Sequence, residues 1–228
     1  LHKIDSLAHY VRFLKESGAE VEALYEDLLI NVTSFFREPE TFAALQKRIF
    51  PLLLKDRPRQ LPIRIWVPGC STGEEACSIA ICLLEYLRHA RLSVAVEIFA
   101  TDISDKAIET ARLGLYPHSI ETDVTPARLQ RFFTKEKTGY RIGKAIRDVC
   151  IFARQDVTRD LPFSKLDLIS CRNLLIYLRP EMQKRVMATF HDAQELSATK
   201  AYLQSVIEEH ERTNEELQSA SEEILTSN

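Results

Sequence analysis

No stretch of the 228 residues approaches the roughly 18 consecutive apolar positions that a membrane-spanning helix needs. Membrane insertion is therefore not expected. Six glycines and nine prolines are too few for a collagen-like or low-complexity chain, while 45% hydrophobic content is enough to bury an ordinary core. The five cysteines (Cys70, Cys77, Cys82, Cys150, Cys171) are odd in number, lie mostly in apolar runs and include no CxxC pair. A disulfide framework and a zinc site are both excluded on that pattern, no other metal site is expected, and a reducing cytoplasm is the expected setting. The opening Leu1-His2-Lys3-Ile4-Asp5 lacks the apolar core and small-residue cleavage site of a signal peptide. Without an initiator Met, it reads as the start of a fragment.

A strong charge of either sign is also missing, the formal net charge being -3. The average hides a polarity, because residues 194–228 carry eight acids against Lys200 and Arg212, leaving the first 193 residues at +3. So mild an excess is no nucleic-acid footprint, which needs a clustered basic face. The acidic tail is a separate compositional unit.

What is present falls into three stretches. Leu7, Tyr10, Val11 and Leu14, then Val21, Leu24, Tyr25 and Leu28, recur at helical spacing on either side of Gly18, giving a small helical preface. A helix opening at Pro39 should run through Phe42, Leu45, Ile49 and Leu53, with a break at Pro51. From Ile63, short β-branched runs alternate with amphipathic helices, the mark of an α/β fold with a largely parallel sheet. Strands are expected at Ile63 to Val67, Val94 to Ala100, Val149 to Arg154 and Leu166 to Cys171, with a further short one at Gly139 to Ile142. Ser104 should cap one helix and Gly114 end it, and Thr125-Pro126 should open another. A last helix starts after Pro180. Beyond it Leu196, Leu203, His210, Leu217 and Ile224 recur every seventh residue, with Thr199, Val206, Thr213 and Ala220 in the second core row. That heptad seam predicts a coiled-coil helix and a possible homodimer. The expected division is 1–38 helical segment, 39–191 α/β domain and 192–228 coiled-coil linker.

In an open α/β sheet a ligand lies beyond the carboxyl ends of the strands. The first such loop, Pro68-Gly69-Cys70-Ser71-Thr72-Gly73-Glu74-Glu75, allows close backbone approach at its glycines, but it is neither a P-loop nor GxGxxG. Its acids would repel a pyrophosphate; read alone, it is better taken as a plain strand-to-helix turn whose acids complement the helix dipole. Asp102 stands where doubly wound nucleotide folds place a ribose-binding carboxylate, or else it is a helix cap shared with Ser104. The other loops carry Gln155-Asp156-Val157 and Arg172-Asn173-Leu174. Together they suit an adenosine-type ligand without a phosphate clamp, of which S-adenosylmethionine is the commonest.

The strings NVTSFFREPE (Asn31 to Glu40), GCSTGEEA (Gly69 to Ala76), ATDIS (Ala100 to Ser104) and LISCRNLLIYL (Leu168 to Leu178) resemble, in order and spacing, the CheR family of chemotaxis-receptor protein-glutamate O-methyltransferases. The resemblance covers about residues 1–191, and the Glu-rich tail resembles linkers of hybrid signalling proteins that join CheB-like and CheR-like domains to PAS and histidine kinase modules. It implies a Rossmann-like methyltransferase sheet, S-adenosylmethionine as cofactor, and receptor cytoplasmic helices or another signalling protein as methyl acceptor. It also implies roles for single residues. Asn31, Thr33 and Arg37 would close over the methionine end of the cofactor and the substrate, and Glu75, in the loop of Gly69, would meet its amino-acid portion. Asp102 would hold the ribose, Asp156 and Val157 would bound the adenine, and Asn173 and Leu174 would lie beside the methionine moiety. Tyr177 would be the active-site tyrosine, acting with Arg37 as the catalytic pair.

The chain departs from the family where Phe190-His191 runs straight into the heptads instead of through a Pro-Gly-Gly-type turn into two more strands. The sheet is therefore expected to lack its last strands. The preface of residues 1–30, with six acids against three Lys/Arg, offers no basic helix for docking an acidic receptor. A non-catalytic cofactor fold serving as sensor or spacer is the alternative that this truncation favours.

Overall fold

The computed structural model describes residues 6–21, 24, 33–55, 57–58 and 60–193. The heptad tail, Asn31 and most of the second half of the preface lie outside the described residues. Helix α1 (Leu7–Glu16) starts at Ser6, whose hydroxyl accepts the His9 N–H, as an N-cap should.

β1 (Ile63–Pro68) and β2 (Val96–Asp102) pair in parallel with Ile63 opposite Val96 and Pro68 opposite Thr101. Their alternation decides which face each residue serves. Ile63, Ile65 and Val67, with Val96, Ile98 and Ala100, enter the main core, whereas Trp66 and Phe99 belong to a smaller cluster. β6 (Cys150–Arg154) and β7 (Leu168–Ile169) complete a four-stranded sheet of order β6-β2-β1-β7, all parallel. α4 (Glu74–His89) covers the main-core face through Ala76, Cys77, Ile79, Ala80, Leu83 and Leu87. The opposite face is covered by the last described helix, α8 (residues 180–193), whose Val186, Phe190 and Ala193 pack with Trp66, Phe99 and Leu166. Among the described residues no strand follows β7.

α5 (Asp105–Leu113) is capped at both ends as expected: the Ser104 hydroxyl accepts the Ala107 N–H, and Gly114 closes the helix at φ 58°. It leads into a three-stranded antiparallel sheet of order β3-β5-β4, formed by β3 (Leu115–Tyr116), β4 (Phe133–Glu136) and β5 (Gly139–Ile142). α6 (Pro126–Phe132) precedes β4, and α7 (Lys144–Arg147) links β5 to β6. Tyr116, Phe132, Phe133, Tyr140 and Ile142 all belong to the main core, so the small sheet shares its interior with the large one.

Three expectations need correction. β2 starts at Val96 and continues to Asp102, because Thr101 is buried beneath the Trp66 indole, whose N–H it accepts at 2.9 Å. β7 is two residues long. Asp167 supplies carboxylate bonds to the Arg64 N–H and to Arg57 on one side of it, and on the other the Ser170 side chain turns to Glu75. The helix from Pro39 is not broken at Pro51. α2 (Pro39–Ala44) passes through a π-helical turn (Leu45–Ile49) into α3 (Phe50–Leu54), with the Phe50 N–H reaching back to the Leu45 carbonyl. That wider turn, placed just before the residue that has no N–H to give, carries the helix past the proline.

Candidate functional site

Among the described residues, six non-glycine residues have positive φ, and four of them lie in the loops singled out from the sequence: Phe36 (52°), Glu38 (58°), Ser71 (50°) and Asn173 (58°). Left-handed backbone at residues with a Cβ costs energy and persists only where the surroundings impose it. Here the surroundings are visible. Phe35 and Phe36 are buried, the Phe36 N–H donates to the Ser78 hydroxyl at 3.0 Å, and its ring meets Phe42 edge-on at 5.5 Å. The Arg128 guanidinium, paired with Glu85, lies 4.2 Å from the centre of the same ring. Arg37 is thus presented from between two left-handed residues whose backbone is fixed from the core side.

The loop after β1 lies against the loop after β7. Gly69, at φ 69°, has the Leu174 side chain where its Cβ would be, at 3.1 Å, so its lack of a side chain is what lets the two loops approach. Gly73, at φ 94°, starts α4, whose first residues Glu74 and Glu75 are both half-buried. Burial pushes the Glu74 carboxyl up, against the Thr72 hydroxyl that donates to it. Burial also pushes Glu75 up, and the opposing influences are the Ser170 hydroxyl at 2.7 Å and the charges of Arg172 and Arg37. Burial beside Glu75 in turn raises the Cys171 thiol to about 12, which leaves it inert at neutral pH.

At the end of β2 the two Asp102 oxygens accept backbone N–H groups, one from Ser71 at 2.8 Å and one from Ser104 at 3.0 Å. Asp102 thus braces the glycine loop and the approach to α5, and each oxygen keeps a second lone pair for another donor. Asp156 forms a turn, its carboxylate accepting from the Thr158 N–H and hydroxyl. Val157 packs against the Trp66 cluster. Beside them the Gln155 amide donates to the Leu161 carbonyl while its buried side-chain oxygen has no donor.

Of the expected residues, Gly69 and Leu174 touch, and Arg37 and Glu75 lie within electrostatic reach of one another. Thr33 is half-buried at the start of the Phe35-Phe36 segment, Asn173 is exposed, and Tyr177, in the 3-10 turn Leu175–Tyr177, is 57% exposed. The sequence reading passed over Ser170, which holds Glu75, and Arg172, which donates to the Arg37 carbonyl at 2.7 Å and to Glu38 at 3.0 Å. Only the place of Arg172 beside Asn173 could have marked it.

The family model described as CheR methyltransferase, SAM binding domain matches residues 31–209. The chain is 37% identical over 193 residues to an uncharacterized 104.1 kDa protein in the hypE 3′ region of Rhodobacter capsulatus, a match covering 85% of this chain and 20% of that one. It is 31% identical over 193 residues to the chemotaxis protein methyltransferase of Borreliella burgdorferi, covering 82% and 68%. Among solved structures, magnesium protoporphyrin IX methyltransferase from Synechocystis PCC 6803 with bound SAM aligns at a TM-score of 0.35 and 16% identity, over 68% of this chain and 54% of that one. The chain thus spans a fifth of the Rhodobacter protein and about two thirds of the Borreliella one.

Proposed function

Because the chain belongs to the CheR methyltransferase family, whose matched segment is its S-adenosylmethionine-binding domain, we propose that it transfers a methyl group from that cofactor to glutamate carboxylates of chemoreceptor-like signalling proteins. The observation that supports this reading is the convergence of Arg37 and Arg172 on Glu75 at the end of the Gly69 loop, with Asp102 bonded to the same loop at Ser71.

The residues present suit the cofactor. Asp102 has lone pairs for ribose hydroxyls, and Glu75 is an anion for the ammonium of the amino-acid end. The buried Gln155 oxygen lacks a donor of the kind that an adenine amino group provides. Leu174, against Gly69, offers an apolar wall, and Asn31, Thr33 and Asn173 are the further candidates for the methionine end. When bound, S-adenosylmethionine supplies a methyl activated on a sulfonium.

The chain's own task is then modest. A glutamate side chain has a pKa near ~4.3, so the acceptor arrives ionised at neutral pH and no general base is needed. Arg37 can hold its carboxylate in a planar fork, and Tyr177 can orient the second oxygen through its hydroxyl. Positioning is the better description of both, since a tight clamp would withdraw charge from the attacking oxygen. The Thr33 to Glu38 segment, held over the site, would exclude water, which solvates the carboxylate and blunts it.

The test is transfer from methyl-tritiated S-adenosylmethionine to a receptor cytoplasmic fragment rich in glutamate. A carboxyl methyl ester gives label released by mild alkali; alkali-stable label would mean N-methylation and sink the carboxylate mechanism.

A further inference from the structure

We infer that Arg172 is a positioning residue, which fixes the main chain of Arg37 against the loop after β7 so that Arg37 and the Asn173-Leu174 loop reach the reacting centre in one relation. The inference rests on the transferase reading and adds to it a residue that bridges two parts of the site. Arg172 donates through one terminal nitrogen to the Arg37 carbonyl at 2.7 Å and to the Glu38 carboxylate at 3.0 Å, and its guanidinium lies 5.4 Å from the centre of the Phe42 ring. Its side chain is 16% exposed, whereas that of Glu38 is 59% exposed.

The bond to the carbonyl matters more than the ion pair, because the ion pair is wet and the carbonyl sits between the two left-handed residues Phe36 and Glu38. On the core side, Phe36 is held by Ser78 and Arg128. On the site side, Arg172 holds the Arg37 carbonyl. The next residue, Asn173, is itself left-handed, and Leu174 packs on Gly69. Both bonds of Arg172 leave one terminal nitrogen, so a lysine ammonium that reaches the same point can keep the carbonyl bond but loses the planar group lying near the Phe42 ring. Misplacement of a substrate-holding group by about 1 Å can cost on the order of a hundredfold in rate without weakening cofactor binding. That separation distinguishes positioning from holding.

The test uses the full chain, with Arg172→Gln and Arg172→Lys, each checked for an unchanged Trp66 emission spectrum. Amide hydrogen exchange over residues 33–42, read by mass spectrometry, needs no methyl acceptor. Arg172→Gln is expected to speed exchange there by about tenfold while α4 peptides stay unchanged, and Arg172→Lys to recover most of the protection. Unchanged exchange in Arg172→Gln overturns the inference. In the labelling assay Arg172→Gln should lower kcat by about tenfold or more while the Kd of S-adenosylhomocysteine, measured by calorimetry, stays within about threefold. Equal losses of rate and affinity would make Arg172 a cofactor-holding residue and also overturn it. A wild-type chain that binds S-adenosylhomocysteine, yet labels no receptor fragment, removes the transferase reading and with it the rate arm. The exchange arm still decides whether Arg172 fixes the segment.

Discussion

Glu75 stands where stability and function pull in opposite directions. Its carboxyl is pushed up chiefly by burial, so the folded chain holds the proton at pH values where the unfolded chain has released it. Between the unfolded and folded values the native state binds more protons, and stability falls as pH rises through that window. Above it the penalty is constant; below the unfolded value it is absent. Glu75→Gln should therefore raise the melting temperature at pH 7, and the gain should shrink at pH 4. The same change removes the anion proposed to meet the cofactor's ammonium, so affinity for S-adenosylhomocysteine should drop by about 1.5 to 3 kcal/mol. In the wild type that affinity should weaken on acidification from above the ordinary carboxylate range, and the Gln variant should lose this dependence. Calorimetric titration over pH, beside thermal melts, checks all of it; a Gln variant that binds as tightly as the wild type would remove Glu75 from the site.

At the scale of elements, the small antiparallel sheet reaches the glycine loop through Tyr116 and the Arg37 segment through Tyr116 and Phe133. The Tyr116 hydroxyl donates to the Thr72 carbonyl at 3.0 Å inside the glycine loop, and its ring meets Phe35 edge-on at 4.8 Å, so β3 touches both the loop and the segment bearing Arg37. Tyr116→Phe keeps the ring and deletes the bond. It should cost about 1 kcal/mol in urea unfolding and measurably lower S-adenosylhomocysteine affinity, whereas a purely structural tyrosine would change only the first. None of this coupling was legible in the sequence, although much of its frame was. β1, β2 and β6 announced themselves through alternating branched residues, and α5 through Ser104 and Gly114. The length of β7 did not: Asp167 and Ser170 on either side of it keep main-chain bonds to β1, while their side chains turn to the Arg64 N–H and Glu75, partners far off in the chain. Pro51 misled because local rules count a missing N–H, and a π-helical turn one step earlier absorbs it. Asp102 could be read from its place at a strand end; Arg172 acts through the carbonyl of a residue 135 positions away, and no local pattern encodes that.

For the whole molecule, the two faces of the sheet are unequally protected. α4 and the small sheet's residues cover the main-core face, while the Trp66 face depends on α8 and on Phe163 and Leu166. Phe190 meets the Trp66 indole edge-on at 5.2 Å. Phe190→Ala should cost about 3 to 5 kcal/mol and shift the emission of Trp66, the chain's one tryptophan, to the red. Urea denaturation followed at that wavelength measures both; an unshifted spectrum would mean that α8 does not shield this face. The bond between Arg172 and the Arg37 carbonyl has a temporal meaning as well. During synthesis, at roughly 5 to 20 residues per second, the segment bearing Arg37 leaves the ribosome on the order of ten seconds before Arg172 exists. For that interval nothing from the β7 side can hold its backbone in shape. A nascent chain that ends before Arg172 therefore lacks this hold on the Arg37 segment, and the two halves of the site take up their fixed relation only once the loop after β7 has been made.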